Sequence, residues 1–158
     1  MNDDYPTCAE TYVTLRLYHD SADPALVTAA LDLAPSETQC VGDSYERRGV
    51  ALACPLSGWF LCSEGQVRSY DAATHLDWLL LLLHPRKDTL EALRAQGWRM
   101  DISCMWDSHA GHGGPTLGPE LLRRLAYLGI ALWFDIYFHG AYDAIESSKR
   151  ANATQPNV

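Results

Sequence analysis

Trp98–Asp107 reads WRMDISCMWD, and it decides how the rest of the chain is to be read. Trp98, Met100, Ile102, Cys104 and Trp106 alternate with Arg99, Asp101, Ser103, Met105 and Asp107, the period-2 signature of a strand with one apolar and one polar face. A strand built this way needs cover on one side only. Thr11–Tyr18, TYVTLRLY, repeats the pattern, with Val13, Leu15 and Leu17 set against Thr14, Arg16 and Tyr18. Ala131–Phe138 alternates Leu132, Phe134, Ile136 and Phe138 with Trp133, Asp135 and Tyr137, and Gly58–Ser63, GWFLCS, has the content of a fourth strand.

Helical signals lie between these strands. Asp23-Pro24 supplies a cap and a first-turn proline for a helix whose Leu26, Ala29, Ala30 and Leu33 are expected on one face, stopped by Pro35. Asp71 is expected to cap a second helix in which Leu76, Leu79, Leu80 and Leu83 form the stripe and Trp78, Leu81 and Leu82 widen it. Pro85 predicts a kink or split, after which Leu90 and Leu93 continue to a Gly97 stop. Pro119 and Glu120 open a further helix with Leu121, Leu122, Leu125 and Leu128 inward, ended by Gly129. Residues 37–57 are poorly patterned: a short strand near Gln39–Val41, a Gly42-Asp43 turn, then a loop.

The order is βαββαβ followed by αβ. It predicts an α+β fold with a ferredoxin-like core extended by one α-β unit, and an antiparallel or mixed sheet with helices on one face. At 158 residues one domain is expected. Its predicted bounds are 11–139, after an extension over 1–10 and before a patternless, disordered tail over 140–158.

Composition narrows the function. Hydrophobic residues make up 47% and charged residues 20%, as in a folded globular chain. The acidic start MNDDYPTCAE is unlike a secretory signal, and the WLLLLL run of Trp78–Leu83 is far short of the roughly 20 residues that span a bilayer, so a cytoplasmic protein is expected. Five cysteines without a C-x-x-C pair read as reduced thiols. The net charge of −8 lies in the first half: residues 1–79 carry 12 acidic and 4 basic side chains, residues 80–158 carry 8 and 8. Nucleic acid is a poor partner for such a chain and a basic protein a good one.

Particular residues also resemble a known family. Leu33, Pro35, Ser36, Gly42 and Asp43, then Pro119, Glu120, Leu121, Leu122, Leu128 and Gly129, and finally Asp135, Ile136 and Tyr137 match the turn, helix and closing strand of the bacterial family called domain of unknown function 4279. Gly118 stands where that family carries a serine cap. The resemblance covers most of residues 11–138 and implies no catalytic activity. It implies a likeness to small proteins that act as immunity proteins beside polymorphic toxins.

Chemistry candidates are few. Trp106–Pro115, WDSHAGHGGP, offers Asp107, His109 and His112, but histidines three apart suit one ion on a helix, and this glycine-rich stretch argues against one. No metal or cofactor is expected; His109 and His112 are read as contact residues on a long connection. The leading expectation is a non-enzymatic protein-binding domain, an immunity protein whose acidic surface of Asp20, Asp23, Glu37, Asp43, Glu46 and Glu64 meets a basic toxin. The alternatives are a small metal- or ligand-binding hydrolase-like enzyme that gathers Asp43, Asp101 and Asp135 with the two histidines, and a homo-oligomeric module of unknown role. Tyr12, Tyr18, Trp133 and Tyr137 on the polar strand faces call for cover by a helix, a partner or a second copy.

Overall fold

The computed structural model describes residues 5–109 and 111–138. Strand β1 (Cys8–His19) is followed by α1 (Ala25–Leu31), β2 (Glu37–Gln39), β3 (Ser44–Arg47), β4 (Val50–Ala53) and β5 (Ser57–Cys62). Then come α2 (Ala72–Leu83), a 3-10 turn over His84–Arg86, α3 (Lys87–Ala95), β6 (Arg99–Ser108), α4 (Pro119–Leu128) and β7 (Ala131–Phe138). Five strands form a mixed sheet in the order β2-β5-β1-β6-β7, and β3-β4 is a separate ribbon. Strands β2, β5, β1 and β6 pair antiparallel, and β7 joins β6 in parallel. Without β7 this is the strand arrangement of a split βαβ pair, so the expected ferredoxin-like core with one added α-β unit is what the chain adopts.

All four helices cover one face. Val13, Leu15, Leu17, Trp59, Ile102, Cys104 and Trp106 from the sheet share a single core with Val27 and Leu31 of α1, Leu76, Leu79, Leu80 and Leu83 of α2, Leu90 and Leu93 of α3, and Leu121, Leu125 and Leu128 of α4. Caps set the helix ends. Asp71 Oδ1 accepts from Ala73 N–H at 2.9 Å, and Gly129 (φ 61°) closes α4 in the left-handed conformation. Pro85 does not end the helical run; the chain tightens into the 3-10 turn and resumes as α3. There Arg86 reaches the carbonyls of Leu31 and Leu82, and Arg94 those of Leu128 and Gly129, so two cations satisfy orphan carbonyls at the ends of α1, α2 and α4.

Five details differ from the expectations. The boundary at residue 11 falls inside β1: pairing starts at Cys8, and Tyr5 packs edge-on against Trp106 at 5.3 Å. A register shift between Cys8 and Glu10 interrupts the alternation, which is why the strand looked shorter. In α1 the buried residues are Val27 and Leu31, while Leu26 is exposed, because Trp59 Nε1 donates to Thr28 Oγ1 at 3.0 Å and fixes the helix rotation. Leu81 is 71% exposed, so it belongs to no stripe. The expected loop after Asp43 is the β3-β4 ribbon, turned by Arg48 and Gly49 at φ 53° and 77°. Strand β2 also sits two residues earlier than Gln39–Val41. The expected tail over 140–158 lies outside the described residues.

Two stability outcomes follow from this core. Leu80→Ala should cost about 2–5 kcal/mol, read as a lower urea midpoint at unchanged slope. Burial raises the Cys8 and Cys104 thiols from 9.0 to about 11. Between those values the unfolded chain releases protons that the folded chain keeps, so stability should hold below pH 8 and fall as pH rises past 9 towards 11. Cys104→Ala should flatten that fall in urea titrations at successive pH values.

Candidate functional site

The other face of the sheet has no helix on it among the described residues. Register places Glu37 and Gln39 of β2, Phe60 and Cys62 of β5, Glu10, Tyr12, Thr14, Arg16 and Tyr18 of β1, Asp101, Ser103, Met105 and Asp107 of β6, and Trp133, Asp135 and Tyr137 of β7 side by side on it. The four aromatics singled out from the sequence do share this face, and no helix of the described chain covers them.

Arg16 holds its centre. Its guanidinium donates to Asp101 through Nε–Oδ1 at 2.7 Å and Nη2–Oδ2 at 2.9 Å, a two-pronged pair. The same plane lies over Trp133 at 4.8 Å and over Tyr18 at 5.7 Å, and Tyr18 meets Phe60 edge-on at 5.4 Å. The bond to Asp101 holds Arg16 charged even above the ordinary guanidinium range. Trp133 and Tyr137 remain 38% and 44% exposed. The face is therefore an aromatic platform braced from within, with ring surface left over for contact.

Carboxylates gather towards one end. Glu10 lies opposite Asp107 on β6, and Asp107 lies opposite Tyr137 on β7. Asp135 accepts from the Tyr137 hydroxyl at 3.0 Å. A cavity of about 450 Å³ at this end includes Glu10, Tyr12, Glu64 and Tyr70 in its lining. A second, of about 490 Å³, shares Tyr12 and Glu64 with it and runs over Phe60 to Glu37. A third, of about 450 Å³, shares Glu37 and reaches Asp43. The three form one acidic groove along the β1-β5-β2 side.

Of the residues predicted for the acidic surface, Glu37, Asp43 and Glu64 share this groove. The other three lie elsewhere. Asp20 pairs with Arg99 at 3.0 Å at the far end of β1, roughly 30 Å from Glu10 at strand rise. Asp23 accepts from Ala25 N–H at the start of α1, and Glu46 stands on the β3-β4 ribbon. Nor are the residues of the alternative site gathered. Asp43 lies beyond β2 and Asp135 on β7, four strand spacings or roughly 19 Å apart, and Asp43 Oδ2 is occupied by Cys40 N–H at 2.6 Å. Asp101 and His109 are at opposite ends of β6. His109 and His112 are both exposed, on a connection tied to the chain start through His109 N–H to Thr7 O at 2.9 Å and Tyr5 hydroxyl to Gly114 O at 3.2 Å. No group of three or more His, Cys, Asp or Glu side chains suited to a metal forms among the described residues.

Sequence reasoning missed Glu10, Arg68, Tyr70 and the buried Ser63–His75 pair. Ser63 Oγ accepts from Val13 N–H at 2.9 Å and shares a 2.7 Å hydrogen bond with His75 Nδ1, while His75 Nε2 donates to Ser69 O at 2.9 Å. This chain ties β1, β5 and α2 to the 64–70 connection. A periodic reading of α2 would have flagged His75, one residue before Leu76, as facing the core.

A double-mutant cycle with Arg16→Met and Asp101→Leu should return a coupling of about 1 kcal/mol in urea unfolding, more than most exposed pairs and less than a fully buried one. A coupling near zero would show that the stacked rings, not the ion pair, hold Arg16.

No helix among the described residues is long and apolar enough to cross a membrane. Comparison with curated proteins and with solved structures gave no match. A family model described as a domain of unknown function (DUF4279) matches residues 9–139, from the second residue of β1 to just past the end of β7. The chain therefore belongs to the DUF4279 family.

Proposed function

We propose that this domain is a non-enzymatic protein-binding module whose open sheet face receives a basic protein, and that it serves as a bacterial immunity protein that neutralises a cognate toxin. The observation that carries the reading is the five-stranded face without a helix on it among the described residues, aromatic at its centre and acidic at its margin. Five strands span roughly 24 Å and their mean length is roughly 26 Å, a footprint on the order of 600 Å². A stable interface takes about 800 Å² from each partner, so the face with its groove supplies most of one.

The two chemistries have different tasks. Trp133 and Tyr137 bring ring area already held in place, the kind of residue that dominates binding energy when a partner excludes water around it. Glu10, Glu37, Glu64, Asp107 and Asp135 supply a negative potential that speeds the approach of a cationic surface. A second copy of this chain is the poorer occupant, because it would set the same carboxylates against one another.

A toxin domain encoded beside this gene would be the partner to test. It should co-purify with the full chain and lose toxicity when both are expressed. Trp133→Ala and Tyr137→Ala should each raise Kd about 30-fold, near 2 kcal/mol. Leu81→Ala, on the outer side of α2, should leave Kd unchanged, and raising salt should slow association more than it speeds dissociation. Absence of binding and of protection would sink the reading, and concentration-dependent dimers in sedimentation would replace the partner by a second copy.

A further inference from the structure

We infer that the cavity between Tyr12, Tyr70, Glu10 and Glu64 is an anchor pocket for one arginine side chain of a protein partner. The inference rests on the interface proposed above and names the group that would lock it.

The cavity's volume of about 450 Å³ is within the range of pockets that enclose a ligand group. Its walls are of two kinds. Glu10 and Glu64 are exposed carboxylates with no ion-pair partner among the described residues. Tyr12 and Tyr70 line the same space, and Tyr70 is 53% exposed. Carboxylates that accept paired N–H bonds and rings that offer a π face together recognise a planar cation, and a guanidinium uses both better than an ammonium does.

Hydrogen bonds tie down the pocket's floor. Both ring nitrogens of His75, at its base, are committed: Nδ1 to Ser63 and Nε2 to the Ser69 carbonyl. Gln66 and Val67 N–H both donate to Ser63 O, so the connection that carries Glu64 and Tyr70 is held at its root.

Arg68 decides between sources of cation. It lines the cavity too, and among the described residues it forms no ion pair with Glu10 or Glu64. A polyamine would set its second ammonium against Arg68. A peptide arginine would instead put a backbone carbonyl near it, an acceptor for its N–H groups. Tyr12 and Glu64 also line the neighbouring cavity on the open face, so a partner lying on that face can reach the pocket without a break.

The test is a heteronuclear NMR titration of the full chain with acetyl-Gly-Arg-Gly-amide, with the same peptide carrying citrulline, and with spermidine. The arginine peptide should shift the Tyr12, Glu64 and Tyr70 amides saturably. The citrulline peptide should bind at least about tenfold more weakly, spermidine should bind no more tightly than the arginine peptide, and a variant with Glu10→Gln and Glu64→Gln should lose about tenfold in affinity. Asp20→Asn, distant from the pocket, should change nothing. Equal binding of citrulline and arginine, tighter binding of spermidine, or shifts centred on Asp20 or Glu46 would each overturn the inference. If the partner still binds through Trp133 but ignores the Glu10/Glu64 variant, the pocket alone fails. If the arginine peptide saturates the pocket but no partner protein binds, the interface reading alone fails.

Discussion

The pairing of β1 with β6 is the constraint on which the rest of the molecule depends. It runs from Cys8 opposite Ser108 to Tyr18 opposite Arg99, nearly the full length of both strands. Side chains alternate with a period of two, so a slip of one residue would carry Val13, Leu15 and Leu17 into water and Arg16 into the core. Register is held on both faces at once. Leu15, Leu17 and Ile102 are completely buried beneath the helices, and on the open side Arg16 and Asp101 meet as a two-pronged ion pair. Thr11 Oγ1 adds a bond to Met105 O at 2.7 Å.

One face of that pairing is a packed core and the other a platform, and this division is the link between stability and the proposed binding. The helices need the apolar face to exist, since α1 and α3 are too short to persist alone. Once they lie on it, no helix of the described chain is left to cover Trp133, Tyr18 and Phe60. The two-pronged pair between Arg16 and Asp101 keeps that surface ordered in the absence of a partner, which lowers the cost of association. The interruption of register between Cys8 and Glu10, meanwhile, lies where Glu10 enters the acidic groove, and such interruptions are common where a side chain is re-aimed.

Legibility varied with burial. Where one face of an element packs on the core, its period shows in the sequence: β6 and β7 stand within a residue of where alternation put them, and α4 lies between its Pro119 start and Gly129 stop. The β3-β4 ribbon is exposed at every residue, so no face needed apolar side chains and no period was written. Its turn places Arg48, a residue that seldom takes positive φ, where asparagine or glycine would have given it away. In α1 two apolar sets overlap, Leu26 with Ala29, Ala30 and Leu33, and Val27 with Leu31. Packing of Val27 and Leu31 in the core, with the hydrogen bond from the Trp59 indole to Thr28, selects the second.

The sequence by itself determined the class of fold, the order of its main strands and helices, the two-faced character of β1, β6 and β7, and the excess of acid in the first half. These are local properties, set by period, caps and composition along the chain. Which carboxylates share a surface was decided only by the tertiary structure. Glu10, Glu37, Glu64, Asp107 and Asp135 come from five separate segments and share one side of the sheet because β1 lies between β5 and β6, while Asp20, Asp23 and Glu46 are carried elsewhere. Strand order is the reason: it is fixed by how the apolar faces pack together, and no charged side chain records it.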